Sequence, residues 1–269
     1  MTRPPRKPRR PGVAKTGLLL LACGVLTLSC PPIAKLASSR AQNRDLAAYR
    51  EVVPATASAQ FHRAVHANSE RDYSGAVDAL RVPGSDVIAT VSLPALGVCV
   101  PVYPSSTPSD LQRGAGHLEE TAAPVGGLGT HAAITAHSGM ITAAMFDALP
   151  ELEVGDFVEV EALHRSLRYQ VFFSQVVTPE DGWRALRPRP GEDLLTLVTC
   201  TPRGVNTHRL LVTARRVQGA AVKAPALRGE SALGWGCWLT LMVGAAGSLG
   251  VSVRRVARKG RQVDSGGHG

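Results

Sequence analysis

The chain reads as a mostly β protein, an antiparallel barrel or sandwich held between two apolar ends, and three observations lead there. From Asp86 onward the sequence breaks into seven short apolar runs, "DVIATVSL", "VCVPVY", "THAAITAH", "FVEVEAL", "RYQVFFSQVV", "LLTLVTC" and "HRLLVTARRV", separated by Pro and Gly. Short strands at close spacing with turn residues between them are the pattern of a barrel or sandwich. The preceding stretch, residues 36–75, is rich in Ala, Arg and polar residues and carries no such run. Finally, both ends are apolar and flanked by basic residues.

Taken in order, residues 1–15 form a basic tail with six Lys and Arg. Residues 16–36 follow as an apolar segment with Pro31 and Pro32 near its outer edge. From Lys15 to Lys35 it reaches about 30 Å as a helix, so it is expected to be a signal sequence or membrane anchor. Residues 37–85 are expected to be membrane-proximal, with one or two amphipathic helices broken at Pro54. The strands then occupy 86–220, with a short helix predicted at "MITAAMFDALPEL" and Gly155 ending the turn after it. Residues 231–253, "SALGWGCWLTLMVGAAGSLGVSV", contain no charge and precede "RRVARKGR" in the basic tail 254–269. That is the pattern of a transmembrane helix with a cytoplasmic stop, Trp235 and Trp238 suiting the outer interface. The expected location is the cell membrane, with both termini cytoplasmic and the strand-rich part outside.

The formal charge of +9 suggests nucleic acid until it is divided along the chain. Residues 40–225 hold 17 Lys and Arg against 19 Asp and Glu, so the basic excess sits at the ends and serves topology; no nucleic-acid partner is expected. Of five cysteines, only Cys99 and Cys200 lie between the apolar ends. That number is too small for a disulfide framework.

Cys200 ends the run "LLTLV", a central strand by its continuous apolar character, so its thiol emerges where the strand meets a loop. A thiol is nucleophilic only where something favours the thiolate or takes its proton. The loop "TPRGVN" allows a reversal, which brings Arg209 within a few ångströms to about ten of Cys200. A fixed cation there can stabilise an oxyanion on an attacked carbonyl. Taken alone, Arg209 also reads as an outward strand arginine in an ordinary ion pair. Histidine must supply the acid and base. His137 lies at a strand-to-loop edge, His131 at the other end of the same run, and His117 in "GAGHLEE" competes with His137; His208 should face away from Cys200 if Arg209 faces it. Cys99 is expected to be a passive strand thiol.

These residues resemble a known family. "TLVTC" with an arginine nine residues beyond the cysteine, "GHLEETAAPVGG", "THAAITAHSGM", "AAMFDALPELEVGD" and "TLVTCTPRGVNTHRLLVTARRV" are similar in style and order to the sortases, most closely class C, the pilin-polymerising sortases. The resemblance covers about Asp86 to Val217. It implies a closed eight-stranded sortase-type β-barrel with short helices. Cys200 would be the nucleophile, His137 the acid and base, and Arg209 the oxyanion or substrate-positioning group. Thr199, Thr201 and Asn206 would meet the substrate. The implied reaction cuts a Leu-Pro-x-Thr-Gly-like sorting signal after its Thr through a Cys200 thioester, then transfers the acyl group to a pilin lysine.

The sequence departs from the class at two places. Its nearest counterpart to the Asp-Pro-aromatic lid motif is Asp78 to Leu80, which lacks both the proline and the aromatic, and Arg203 stands where an aromatic is common. A wall-anchoring sortase that uses a peptidoglycan amine is the alternative within the family. A membrane-tethered protease with water as acceptor and a binding module with an inert Cys200 lie outside it. No cofactor is expected and no metal: the histidines lack ligand spacing, and the acidic Glu151, Glu153 and Asp156 read as a solvated turn.

Overall fold

The computed structural model describes residues 12–140 and 145–218, with residues 12–16 and 18–32 described as backbone. The chain divides into two units, residues 1–29 with 230–269 and residues 30–229. Of the first, the described part is the helical backbone of residues 12–29.

The helical segment predicted before the strands is present. Helix α1, Gly12–Val52, stops just before Pro54, which cannot donate into a continuing helix. Helices α2, Ser58–Ser69, and α3, Tyr73–Leu80, follow, and Asp72 caps α3 by accepting the Gly75 N–H at 2.9 Å. No helix among the described residues is long and apolar enough to cross a membrane. The anchor expected at 16–36 is therefore not shown, and the span expected at 231–253 lies outside the described residues.

Eight strands close into a barrel in the order β1-β2-β3-β4-β7-β8-β6-β5. They are β1 Ala89–Leu93, β2 Val98–Tyr103, β3 Ala115–His117, β4 Thr130–Thr135, β5 Phe157–Ala162, β6 Arg165–Val177, β7 Asp193–Thr201 and β8 His208–Arg216. All seven predicted runs contain a strand; the eighth, β3, has three residues, too few to show a period. The antiparallel expectation needs correction, because β2 pairs with β3 and β4 with β7 in parallel. Helices α4, Pro108–Arg113, and α5, Pro179–Ala185, lie in connections, each with Pro in its first turn. Of the helix predicted at "MITAAMFDALPEL", residues 141–144 lie outside the described residues, and the remainder holds one 3-10 turn, Leu149–Glu151. The acidic turn is not solvated throughout: Asp156 is buried and accepts the Glu153 N–H at 2.9 Å.

Alternation separates two faces of β4, β7 and β8. Ala132, Ile134, Leu195, Leu197, Leu210, Val212 and Ala214 join the barrel core, while Ala133, Val198 and Leu211 form a second cluster with Leu186 from the β6–β7 connection. Successive strand residues point to opposite faces, so even positions of β7 and odd positions of β4 and β8 share the outer face.

The helical segment docks where β4, β6 and β7 begin. Tyr49 Oη donates to the Ile88 carbonyl at 3.1 Å and accepts the Leu163 N–H at 3.0 Å. Burial raises the Tyr49 pKa, which keeps the phenol protonated as a donor. Asn68 holds the chain before β4 from both sides, its Nδ2 donating to the Ala123 carbonyl at 3.0 Å and its Oδ1 accepting the Ala123 N–H at 2.9 Å. Residues 70–85 run from α2 to the start of β1, so both their ends are fixed at this end of the barrel. Ala76, Val77 and Leu80 are buried there as part of the core.

Candidate active site

The register of the sheet assembles the site. Parallel β4 and β7 pair Thr130 with Asp193 and Thr135 with Val198, a constant offset of 63 residues. Carried two positions past the end of β4, that offset sets His137 beside Cys200. On the other side, antiparallel β7 and β8 pair Cys200 with Arg209 directly. By the alternation just described, Cys200 and Arg209 belong to one outer row, beside the apolar floor of Ala133, Val198 and Leu211, and His137 follows the same parity two residues beyond β4. Cys200, His137 and Arg209 are all partly exposed. A thiol, an imidazole and a guanidinium thus stand at neighbouring strand ends with access to solvent.

Hydrogen bonds bracket His137. On one side Thr199 Oγ1 donates to the Ala136 carbonyl at 2.8 Å, and on the other Ser138 Oγ donates to the Cys200 carbonyl at 2.6 Å. The His137 carbonyl itself accepts the Phe146 N–H at 3.1 Å. Arg209 is drawn into its own loop, Nη1 donating to the carbonyls of Asn206 and His208 at 3.1 Å each. Nη1 carries two of the five guanidinium N–H donors.

The family now follows from comparison. The sortase domain matches residues 91–217. Sortase A of Bacillus anthracis is 30% identical over 137 residues, covering 51% of this chain and 63% of the relative's own length. Among solved structures, sortase C of Streptococcus pneumoniae is 34% identical, with 65% of this chain and 97% of that one covered at a TM-score of 0.60. Sortase C1 of Streptococcus agalactiae is 34% identical over 66% and 96% at 0.60. A lid mutant of sortase A from Corynebacterium diphtheriae is 35% identical over 62% and 96% at 0.58.

The chain belongs to the sortase family.

Within this sortase the remaining candidates fall into place. His117 and His131 are buried, and burial lowers the pKa of each, so both are neutral fold residues. His131 Nε2 sits 2.7 Å from Thr196 Oγ1, which lies 2.9 Å from Thr213 Oγ1, a buried polar row on the same outer face below the site. His208 pairs with Thr201 and by alternation belongs to the face opposite to Cys200.

The expected substrate residues divide differently. Thr199 is buried with its hydroxyl committed to Ala136, and Thr201 shares its face of β7, opposite to Cys200. Neither lies on the Cys200 face of β7. Asn206 is exposed in the β7–β8 loop, adopts a positive φ of 61° and supplies a carbonyl to Arg209. Residues not singled out in the sequence also hold the site: Ser138, through Cys200, and Asp147, whose Oδ1 accepts the Gly139 N–H at 2.5 Å. Arg203 Nη2 donates to the Asp147 carbonyl. Gly139 has a φ of +77°, so the chain turns immediately after His137 and Ser138 through a conformation that favours glycine. Trp183 in α5 and Val205 in the β7–β8 loop are exposed apolar side chains on the two connections that flank the Cys200 end.

Proposed function

We propose that this sortase is a cysteine transpeptidase acting on a Leu-Pro-x-Thr-Gly-like sorting signal and delivering the acyl group to a pilin lysine. The observation that carries the reading is the single outer row of His137, Cys200 and Arg209 set by the β4–β7–β8 register. The Cys200 sulfur attacks the Thr carbonyl and forms a thioester. The Thr–Gly C–N bond breaks, and His137 gives its proton to the departing Gly amine. The incoming amine then attacks the thioester, passes a proton back to His137 and releases the Cys200 sulfur. Arg209 stands one strand away to receive the charge that develops on the carbonyl oxygen. Trp183 and Val205 offer apolar surface for the Leu and Pro of the signal. The pilin acceptor is supported by likeness to the Streptococcus pneumoniae sortase C described for its pilin substrate specificity. Membrane attachment through 16–36 and 231–253, with 37–85 membrane-proximal, 86–220 catalytic and outside the cell, and both tails cytoplasmic, belongs to the same proposal.

A second reading, transfer to a peptidoglycan amine, is favoured by one feature. Residues 70–85, the counterpart of a lid, run from α2 to the start of β1, the strand end opposite to the one that carries Cys200, and bury Ala76, Val77 and Leu80 in the core.

The test is intact-mass spectrometry of the full chain mixed with a Leu-Pro-x-Thr-Gly peptide, beside Cys200→Ala. The expected result is an adduct of the N-terminal peptide fragment on the Cys200 chain alone, with turnover lost by at least about 10³-fold in the variant. Adding a pilin-type lysine peptide or an oligoglycine amine in competition then separates the two acceptors. A folded chain with a free Cys200 thiol and neither adduct nor cleavage would overturn the substrate.

A further inference from the structure

Two loops leave the candidate site, and they are tied to each other. The loop after β4 begins with His137, turns at Gly139 and returns through Asp147. The loop after β7 begins beyond Cys200 and carries Arg203. Arg203 Nη2 donates to the Asp147 carbonyl, while the Asp147 carboxylate accepts the Gly139 N–H, so one residue receives both ties. The loops also approach each other closely: a Cβ added at Gly139 would lie 3.5 Å from the Arg203 Cβ and from the Gly204 nitrogen. Beneath this contact, Ser138 Oγ donates to the Cys200 carbonyl.

We infer that Arg203 is a positioning residue, latching the β7–β8 loop onto the loop that carries His137 and thereby fixing His137 against Cys200. The inference rests on the sortase reading for the roles of those two residues. Its physical content is a matter of constraint. His137 lies just beyond the last bond between β4 and β7, Ala136 N–H to the Val198 carbonyl at 3.2 Å, so the register sets its neighbour on β7 while the loop that follows sets its side chain. Local ties must hold that loop, and a misplacement of about 1 Å at a reacting group can cost about 10²-fold in rate. The guanidinium is suited to this task, since its planar fork can reach a carbonyl across a loop with little freedom left to lose. An aromatic residue at 203 would offer at most one N–H or O–H where the guanidinium offers five, so the departure at this position changes how the two loops are joined.

The experiment reads the Cys200 thiol without any peptide substrate. The full chain is treated with iodoacetamide near neutral pH, and the carbamidomethylation rate of Cys200 is followed by peptide mass spectrometry in wild type, Arg203→Ala, Arg203→Lys, His137→Ala and the double variant Arg203→Ala with His137→Ala. Circular dichroism confirms the fold of each. The expected result is that Arg203→Ala slows alkylation roughly tenfold, that Arg203→Lys restores most of the rate, and that Arg203→Ala adds nothing once His137 is gone. Such non-additivity is the signature of one residue acting through another. An unchanged rate in Arg203→Ala, or an equal slowing with and without His137, would overturn the latch. The Leu-Pro-x-Thr-Gly peptide forms a separate arm: an intact coupling between Arg203 and His137 with no peptide adduct would remove the proposed substrate and leave the latch standing.

Discussion

At the end of the barrel where β4, β6 and β7 begin, buried side chains from the helical segment satisfy buried backbone groups: Tyr49 spans Ile88 and Leu163, and Asn68 holds Ala123 from both sides. At the end where β4 and β7 finish, the Thr199 bond to Ala136 is buried too, but the loops beyond it are held by exposed residues, as with Arg203 and Asn206. Buried bonds are expensive to break because the freed groups find no water, whereas exposed loop bonds exchange readily. The barrel therefore keeps the bonds made by its helical segment at one end and its candidate site at the other. Function collects on loops held by a rigid scaffold, and here the rigidity comes from the end remote from the candidate site.

The sharpest way to break this contrast is Tyr49→Phe. Removing one hydroxyl leaves the Ile88 carbonyl and the Leu163 N–H without their partner. The expected loss is about 1–3 kcal/mol, read as a lower urea midpoint at an unchanged m-value. The rate of peptide adduct formation per folded molecule should not move. A slower adduct with no loss of stability would show that the two ends are coupled.

A smaller effect is expected from pH. Burial depresses the folded-state pKa of His117 and His131 below the ordinary histidine value of 6.5, so the unfolded chain binds more protons once the pH drops. Their contribution to stability is complete above that ordinary value and is lost as pH falls through it towards the depressed folded value. The urea midpoint should therefore fall between about pH 8 and about pH 5.5, and fall less in His131→Gln, whose amide can still reach Thr196. Equal falls in both chains would remove His131 from the account. The smallest effect belongs to Cys99→Ser. Cys99 is exposed and far in register from the Cys200 row, so stability should stay within about 0.5 kcal/mol, with adduct formation unaltered.

How much of this was legible in the sequence depended on range. The apolar runs located seven strands, and the short "TPRGVN" loop was enough to foresee Cys200 opposite Arg209, because a hairpin register is a local property. Parity along β7 was equally local, and it alone would have turned Thr199 and Thr201 away from the nucleophile. β3 escaped because three residues carry no period. The signals for α4 and α5 were present as Thr107 before Pro108 and Thr178 before Pro179, the cap and first-turn proline of a helix start. The pairing of β4 with β7 and the Arg203 to Asp147 bond were not legible, since each joins segments more than fifty residues apart without a turn between them.

The distance along the chain between His137 and Cys200 has a consequence for biosynthesis. At roughly 5–20 residues per second a ribosome needs several seconds to add what separates them. In that interval it makes β5, β6 and α5, and Arg209 follows only afterwards. Parallel strands cannot be joined by a tight turn, so the imidazole waits for its thiol until most of the barrel exists. A nascent chain consequently carries no assembled candidate site until the fold is complete.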